Sequence, residues 1–314
     1  VMPGPFRSFG LNNPALLVCM TAALLLAASC AVGPGPASGP GGVPARQPSP
    51  DRPCPAGTVS LVNRGLMGVH SIEATLNMTV SVKDPPFSTR VQAGLVAEKE
   101  SRFRLRAYMG PAFVLDVAIA RDSVWAYLPG NAEVFAGRVL EAIHAAPDSG
   151  VAYALAAASL GEVLFPAPFV PDSCKTTRLD ATTCRLEERV PGRVWGEAGE
   201  VYPAAGDRPN SANPRYYFEV LGRVASVELG KGRLRELHLL HGRGAEQVSA
   251  TYSDYRKTGK GIFPHQIAVE FPGIGISLNL VFDRVKVNPT IAENTYRVDV
   301  PEGVNVKRFN ELHN

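Results

Sequence analysis

Hydrophobic and polar residues alternate strictly from Ser71 onward. Ile72, Ala74, Leu76, Met78, Val80 and Val82 interleave with Glu73, Thr75, Asn77, Thr79, Ser81 and Lys83. A period of two held over that length predicts a long strand with one buried and one wet face. Asp84-Pro85-Pro86 reads as a turn. The alternation returns in Val91, Ala93, Leu95 and Ala97, and in Phe103, Leu105 and Ala107 between Arg102, Arg104 and Arg106. It continues after Gly110-Pro111 in Phe113, Leu115, Val117 and Ile119, and over residues 122–128 up to Pro129-Gly130-Asn131. Connections this short predict an antiparallel meander.

Residues 132–164 break that rhythm. Two Ala- and Leu-rich segments, 132–144 and 151–164, are separated by Pro147-Asp148-Ser149-Gly150 and predict two helices on one face of the sheet. An amphipathic helix is expected around Val59 to Val69. Residues 166–214 read as irregular, rich in Pro, Gly and charge. Strands are expected again at 216–221, 225–229, 234–240, 248–254, 266–271, 276–287 and 295–300. The fold class is therefore mainly β with helices (α+β). About eleven strands would form a strongly curved antiparallel sheet or incomplete β-barrel, with helices covering its concave face.

Composition places this fold in context. The chain has 314 residues, 45% hydrophobic and 19% charged, with a net charge of +3. That is ample for a core and too apolar for disorder throughout. The small charge leaves no basic footprint for nucleic acid. Much of the excess of Gly and Pro lies in 31–56, a stretch with few apolar side chains that reads as a tether. Before it, residues 15–29 form an uncharged apolar run of signal-peptide length, short of a membrane span. Leu26-Ala27-Ala28-Ser29-Cys30 resembles the bacterial lipobox, with Ala27 where Leu is usual; acylated Cys30 would anchor the chain. Ala31, in place of an acidic residue, points by resemblance to sorting at the outer membrane. The expected organisation is a signal peptide at 1–29, acylated Cys30 and tether at 30–56, and a folded domain at 57–314 with an irregular insertion at 166–214.

Catalytic motifs are not evident. The chain carries no Gly-x-Ser-x-Gly elbow and no phosphate-binding loop. Its six histidines, His70, His144, His238, His241, His265 and His313, are scattered. His238 and His241 would fall on opposite faces of a strand, so neither a metal site nor a cofactor is expected. Asp254 and Asp283 stand as isolated carboxylates, and no enzymatic activity is expected. In an oxidising compartment Cys174 and Cys184, with nine residues between them, either pair or remain free thiols; pairing would leave Cys54 alone.

Several short motifs occur in order: Ser101-Arg102-Phe103-Arg104-Leu105-Arg106, Met109-Gly110-Pro111-Ala112-Phe113 and Asp122-Ser123-Val124-Trp125-Ala126-Tyr127-Leu128-Pro129. Later come Tyr252-Ser253-Asp254-Tyr255, Phe263-Pro264-His265-Gln266-Ile267, Val285-Lys286-Val287-Asn288 and residues 296–304. With the lipobox, this order resembles the LolA/LolB superfamily of lipoprotein carriers, closest in style to its lipid-anchored LolB-type member. The likeness spans most of 58–309 apart from the insertion at 166–214, which lies outside the family pattern.

The resemblance implies an apolar cavity for acyl chains. Leu76, Met78, Leu95, Phe103, Leu105, Phe113, Leu115, Val117, Tyr252, Ile267, Val269, Leu278, Leu280 and Phe282 are its expected lining. Met109, Gly110 and Pro111 match the family's protruding loop. The expected partners are acyl lipid or lipoprotein acyl chains, the membrane through Cys30, and a periplasmic carrier protein. The place is the outer membrane of a Gram-negative bacterium, facing the periplasm. The alternative is the same fold acting as a structural or sensor module that binds a protein segment in the envelope.

Overall fold

The strand opened by the alternation at Ser71 is the hinge of the whole sheet. In the computed structural model β1 (Ser71–Val82) buries Ile72, Ala74, Leu76, Met78 and Val80 and turns the residues between them outward. The described residues are 53–83, 86–99, 102–120, 123–138, 160–189, 193–195, 201–203, 222–240, 246–259 and 261–309. They all fall in one unit, Pro48–Asn314. The expected signal peptide, Cys30, nearly all of the tether, the strand at 216–221 and most of the second helix lie outside them.

From β1 the chain runs as a meander through β2 (Phe87–Glu98), β3 (Arg102–Met109), β4 (Ala112–Ala120), β5 (Ser123–Leu128) and β6 (Glu133–Arg138). A second series comprises β7 (Cys174–Arg178), β8 (Thr183–Arg189), β11 (Gly222–Glu228), β12 (Arg233–Leu240), β13 (Glu246–Thr258), β14 (Gly261–Phe271) and β15 (Ile276–Val287). The first strand of one series pairs with the last of the other, Val80 opposite Leu278 and Ala74 opposite Val285. One curved sheet of fourteen strands results, in the order β16-β6-β5-β4-β3-β2-β1-β15-β14-β13-β12-β11-β8-β7. It is unclosed, because its edges β16 (Asn305–Arg308) and β7 do not pair. Every junction is antiparallel except β16 on β6. β9 (Arg193–Trp195) and β10 (Val201–Pro203) form a separate two-stranded ribbon.

The fourteen strands exceed the expected eleven, and part of the surplus lies within 166–214. There the hairpin β7–β8 extends the main sheet where the sequence reads as irregular. Its strands carry Thr and charged residues, and β7, an edge strand, has none of the apolar alternation that marks a half-buried strand. A second correction concerns 132–144. Residues 133–138 are strand β6 and not a helix, and Val134, Phe135 and Ala136 are all buried. A strand covered on both faces shows a continuous apolar run that periodicity cannot tell from a buried helix. Of the second expected helix, 160–164 are helical, with Leu160, Val163 and Leu164 in the core.

The outer cover over β3 and β4 is the C-terminal segment, where a strand was expected at 295–300. Residues Glu293–Tyr296 form instead a 3-10 turn lying on these strands. Its Thr295 carbonyl accepts a hydrogen bond from Arg104 Nη1 at 2.7 Å rather than joining a ladder. Beneath it Arg104 donates through Nε and Nη2 to both oxygens of buried Asp116, at 2.9 and 2.6 Å. The expected amphipathic helix is α1 (Thr58–Met67), which packs on β12 and buries Val62.

The cysteines also depart from expectation. Cys184 is bonded to Cys54, and Cys174 is free. The register explains why the nearer pair cannot form. Cys174 stands opposite Glu188 and Cys184 opposite Arg178. The two are four rungs apart along the hairpin, about 13 Å, well beyond the ~7 Å that a disulfide spans between Cα atoms.

Candidate functional site

An apolar pocket of about 130 Å³ opens where α1, the 163–166 segment and the second series of strands meet. The β11–β12 turn brings the chain under the helix. Gly230 and Gly232 both adopt positive φ there, and Gly232 N donates to Glu228 O at 3.0 Å. At Gly232 the fit is close, since a Cβ would collide with Leu61. This contact seats the last turn of α1, with Gly65 and Leu66, over the pocket.

The floor consists of Val163, Leu164, Leu234, Tyr252, Phe263 and Ile267, all buried. Two phenols stand among them with hydroxyls already committed. Tyr252 Oη donates to Val163 O at 2.8 Å and Tyr255 Oη to Leu234 O at 2.7 Å. Burial pushes both phenols above their ordinary pKa; Tyr255 and then Glu162 add to this at Tyr252, while at Tyr255 the Arg233 charge opposes it and Glu228 adds to it. They remain neutral donors bound to carbonyls, so the wall they present is the apolar ring. At the mouth stand Lys231, Arg233 and the half-exposed Ile262. Lys231 Nζ pairs with Glu228 at 2.8 Å, and this contact holds the Glu228 carboxyl below its usual pKa. The Arg233 guanidinium lies over the Tyr255 ring at 5.3 Å.

Only Tyr252 and Ile267 of the expected cavity residues line this pocket. Leu76, Met78, Leu95, Phe103, Leu105, Val117, Val269, Leu278, Leu280 and Phe282 are buried in the continuous core, while Phe113 and Leu115 are partly exposed. The sequence reading missed Leu66, Val163, Leu164, Arg233, Tyr255 and Ile262. A signal was present in Leu229-Gly230-Lys231-Gly232-Arg233, whose paired glycines mark a turn able to approach another backbone closely.

Met109, Gly110 and Pro111 form the β3–β4 turn. Met109 is 46% exposed and Tyr108 36%, and Gly110 has positive φ. Tyr108 packs on Phe113 at 5.4 Å, and Phe113 on Tyr127 at 6.0 Å, giving the tip an aromatic base. In an antiparallel meander successive turns fall on opposite rims. The β3–β4 turn lies on the rim that carries the β1–β2 and β14–β15 turns. The β11–β12 and β13–β14 turns at the pocket lie on the other, with the α1–β1 junction.

The remaining polar groups have structural partners. Asp254 pairs with Arg256, which holds its carboxyl below the usual range, and Asp283 accepts a hydrogen bond from Asn77 Nδ2 at 2.8 Å. His265 is buried and donates from Nδ1 to Phe282 O at 3.0 Å. Among the described residues no group of three His, Cys, Asp or Glu is placed to hold a metal ion. None of the described helices is long and apolar enough to cross a membrane.

No protein-family model and no curated protein matches the chain. Among solved structures it is similar to a LolA superfamily protein from Nitrosomonas europaea, with TM-score 0.45 and 8% identity over 77% of this chain and 96% of that one. It is similar to a domain from Vibrio parahaemolyticus, provisionally named as outer membrane lipoprotein-sorting, with TM-score 0.46 and 13% identity over 76% and 94%. A DUF1329 family protein from Desulfovibrio piger gives TM-score 0.46 and 11% identity over 76% and 95%.

Proposed function

We propose that this protein is a non-catalytic carrier of the cell envelope that takes acyl chains into the pocket beneath α1. It would be held at the outer membrane through acylated Cys30 and would receive or place lipids or lipoproteins there. The observation that carries the reading is the pocket itself. It is apolar, its two tyrosine hydroxyls are already bonded to carbonyls, and it opens to the surface past Ile262. A cavity of that size accepts a small apolar guest, since an engineered cavity of about 150 Å³ holds benzene. It would therefore admit the end of a chain, and a longer length would need α1 to move. Transfer needs no bond chemistry; it runs by difference in affinity between carrier and bilayer. The exposed Met109 tip supports contact with a bilayer from the rim opposite the pocket.

Native mass spectrometry of the purified chain tests the reading. A bound mass released by denaturation as acyl lipid, and lost in Leu66→Glu, is the expected result. A clean apo mass with no uptake of added lipid would overturn it and favour a module that binds a protein segment.

A further inference from the structure

The pocket's apolar floor does not explain the charge at its mouth. Arg233 makes no ion pair among the described residues, and its guanidinium is held over the Tyr255 ring. Next to it in the same turn stands Lys231, more than half exposed. Arg235, exposed on the same strand, adds a third cation whose charge is felt at Glu228. Two carboxylates act on the pocket's phenols, Glu228 on Tyr255 and Glu162 on Tyr252. Glu228 is spent on Lys231 at 2.8 Å, and Glu162 is itself engaged. Lys231, Arg233 and Arg235 all act on the one carboxylate of Glu228, which Lys231 holds directly, so the mouth keeps an excess of positive charge and Arg233 has an aromatic support but no ion pair among the described residues.

We infer that the pocket selects amphiphiles carrying an acid group, with the alkyl end between Leu66, Leu164 and Ile267 and the acid on Arg233. This deepens the carrier reading above and rests on it. The ring of Tyr255 fixes the guanidinium in place, so little freedom is lost when an anion arrives, and its planar fork suits a carboxylate or a phosphate equally. Lys231, more than half exposed beside Arg233 in the same turn, is the second donor and would share its ammonium between Glu228 and the acid. A neutral chain would fill the floor as well but leave Arg233 without an anion.

Isothermal titration of the full chain with dodecanoate, dodecyl phosphate and dodecanol tests this. Both acids are expected to bind at least about tenfold tighter than dodecanol, the scale of a charge-assisted hydrogen bond. Which acid binds more tightly tells a fatty acid from a phosphate-headed lipid. Arg233→Gln should bring all three within about twofold by weakening the two acids, while Arg233→Lys keeps part of the preference. If Arg233→Gln fails to fold, raising salt on the unaltered protein must weaken the acids and spare dodecanol. Equal binding of acid and alcohol overturns the inference and leaves the carrier reading intact. A preference that survives Arg233→Gln removes Arg233 from the role. Binding of none of the three overturns the carrier reading as well.

Discussion

Gly232 lies directly beneath Leu61: a Cβ placed on Gly232 would stand 2.7 Å from Leu61 Cγ and 2.8 Å from its carbonyl oxygen. The φ of +63° at Gly232 adds a conformational demand to the steric one. Gly232→Ala therefore has to lift α1 from the β11–β12 turn or distort the turn. The expected cost is about 2–3 kcal/mol, the sum of a disfavoured φ and an overpacked contact. Urea unfolding should show a lower midpoint with an unchanged slope. An unchanged midpoint would mean that α1 is not seated on this turn.

Asn288 fastens the other end of the same helix. Its Oδ1 accepts from the His70 and Ser71 amides at 2.9 and 3.4 Å, and its Nδ2 donates to Gly68 O at 2.8 Å. Its backbone has φ +56°, which asparagine tolerates better than alanine. Asn288→Asp keeps the acceptor and loses the donor, so about 1 kcal/mol is expected; Asn288→Ala loses both and should cost about 2–3 kcal/mol. Equal losses in the two variants would show that the accepted bonds contribute nothing.

How legible these features were depends on what each side chain faces. β1, β2, β14 and β15 are buried on one face and wet on the other, so their alternation could be read directly. β6 is covered on both sides and imitates a helix, while β7, a polar edge strand, imitates a loop. The candidate site was harder still. Tyr252 and Ile267 announce themselves as inward residues of strands, but the pocket's existence depends on how α1 crosses the β11–β12 turn. That crossing joins residues about 170 positions apart in sequence (61 and 232), and no local pattern encodes it. The cysteines show the same limit: spacing suggested a pair at 174 and 184, and register forbids it.

Asp116 tests the outer layer. It binds Arg104 through both oxygens and receives Arg106 Nε at 3.3 Å, under the cover of the 293–296 turn. Asp116→Ala would leave the Arg104 guanidinium buried with only the Thr295 carbonyl, and a loss of about 3–5 kcal/mol is expected. Replacing both partners, Arg104→Met with Asp116→Leu, should recover most of it, because no charge is then stranded. A double variant as unstable as the single one would show that the pair itself, and not the orphaned charge, sets the stability.

The cysteine arrangement yields two linked outcomes. A non-reducing peptide map should show Cys54 joined to Cys184, closing a separation of 130 residues, with Cys174 as a thiol. Replacing Cys54 and Cys184 with Ser removes a constraint on the unfolded chain worth about 3–5 kcal/mol for a loop of that length. Cys174 should be a slow thiol as well as a free one. Burial first, then the Glu188 carboxylate, push its pKa up to about 11. At pH 8 its thiolate fraction is then about 200-fold below that of an ordinary cysteine. The stronger nucleophilicity of a high-pKa thiolate recovers about tenfold, so alkylation by iodoacetamide should run roughly tenfold to twentyfold slower than in a model thiol. Because the pKa is raised, the rate should still be climbing with pH past 9, where an ordinary thiol has levelled off. Rapid labelling at pH 8 would mean that Cys174 is open to solvent and that the β7 edge does not bury it as described.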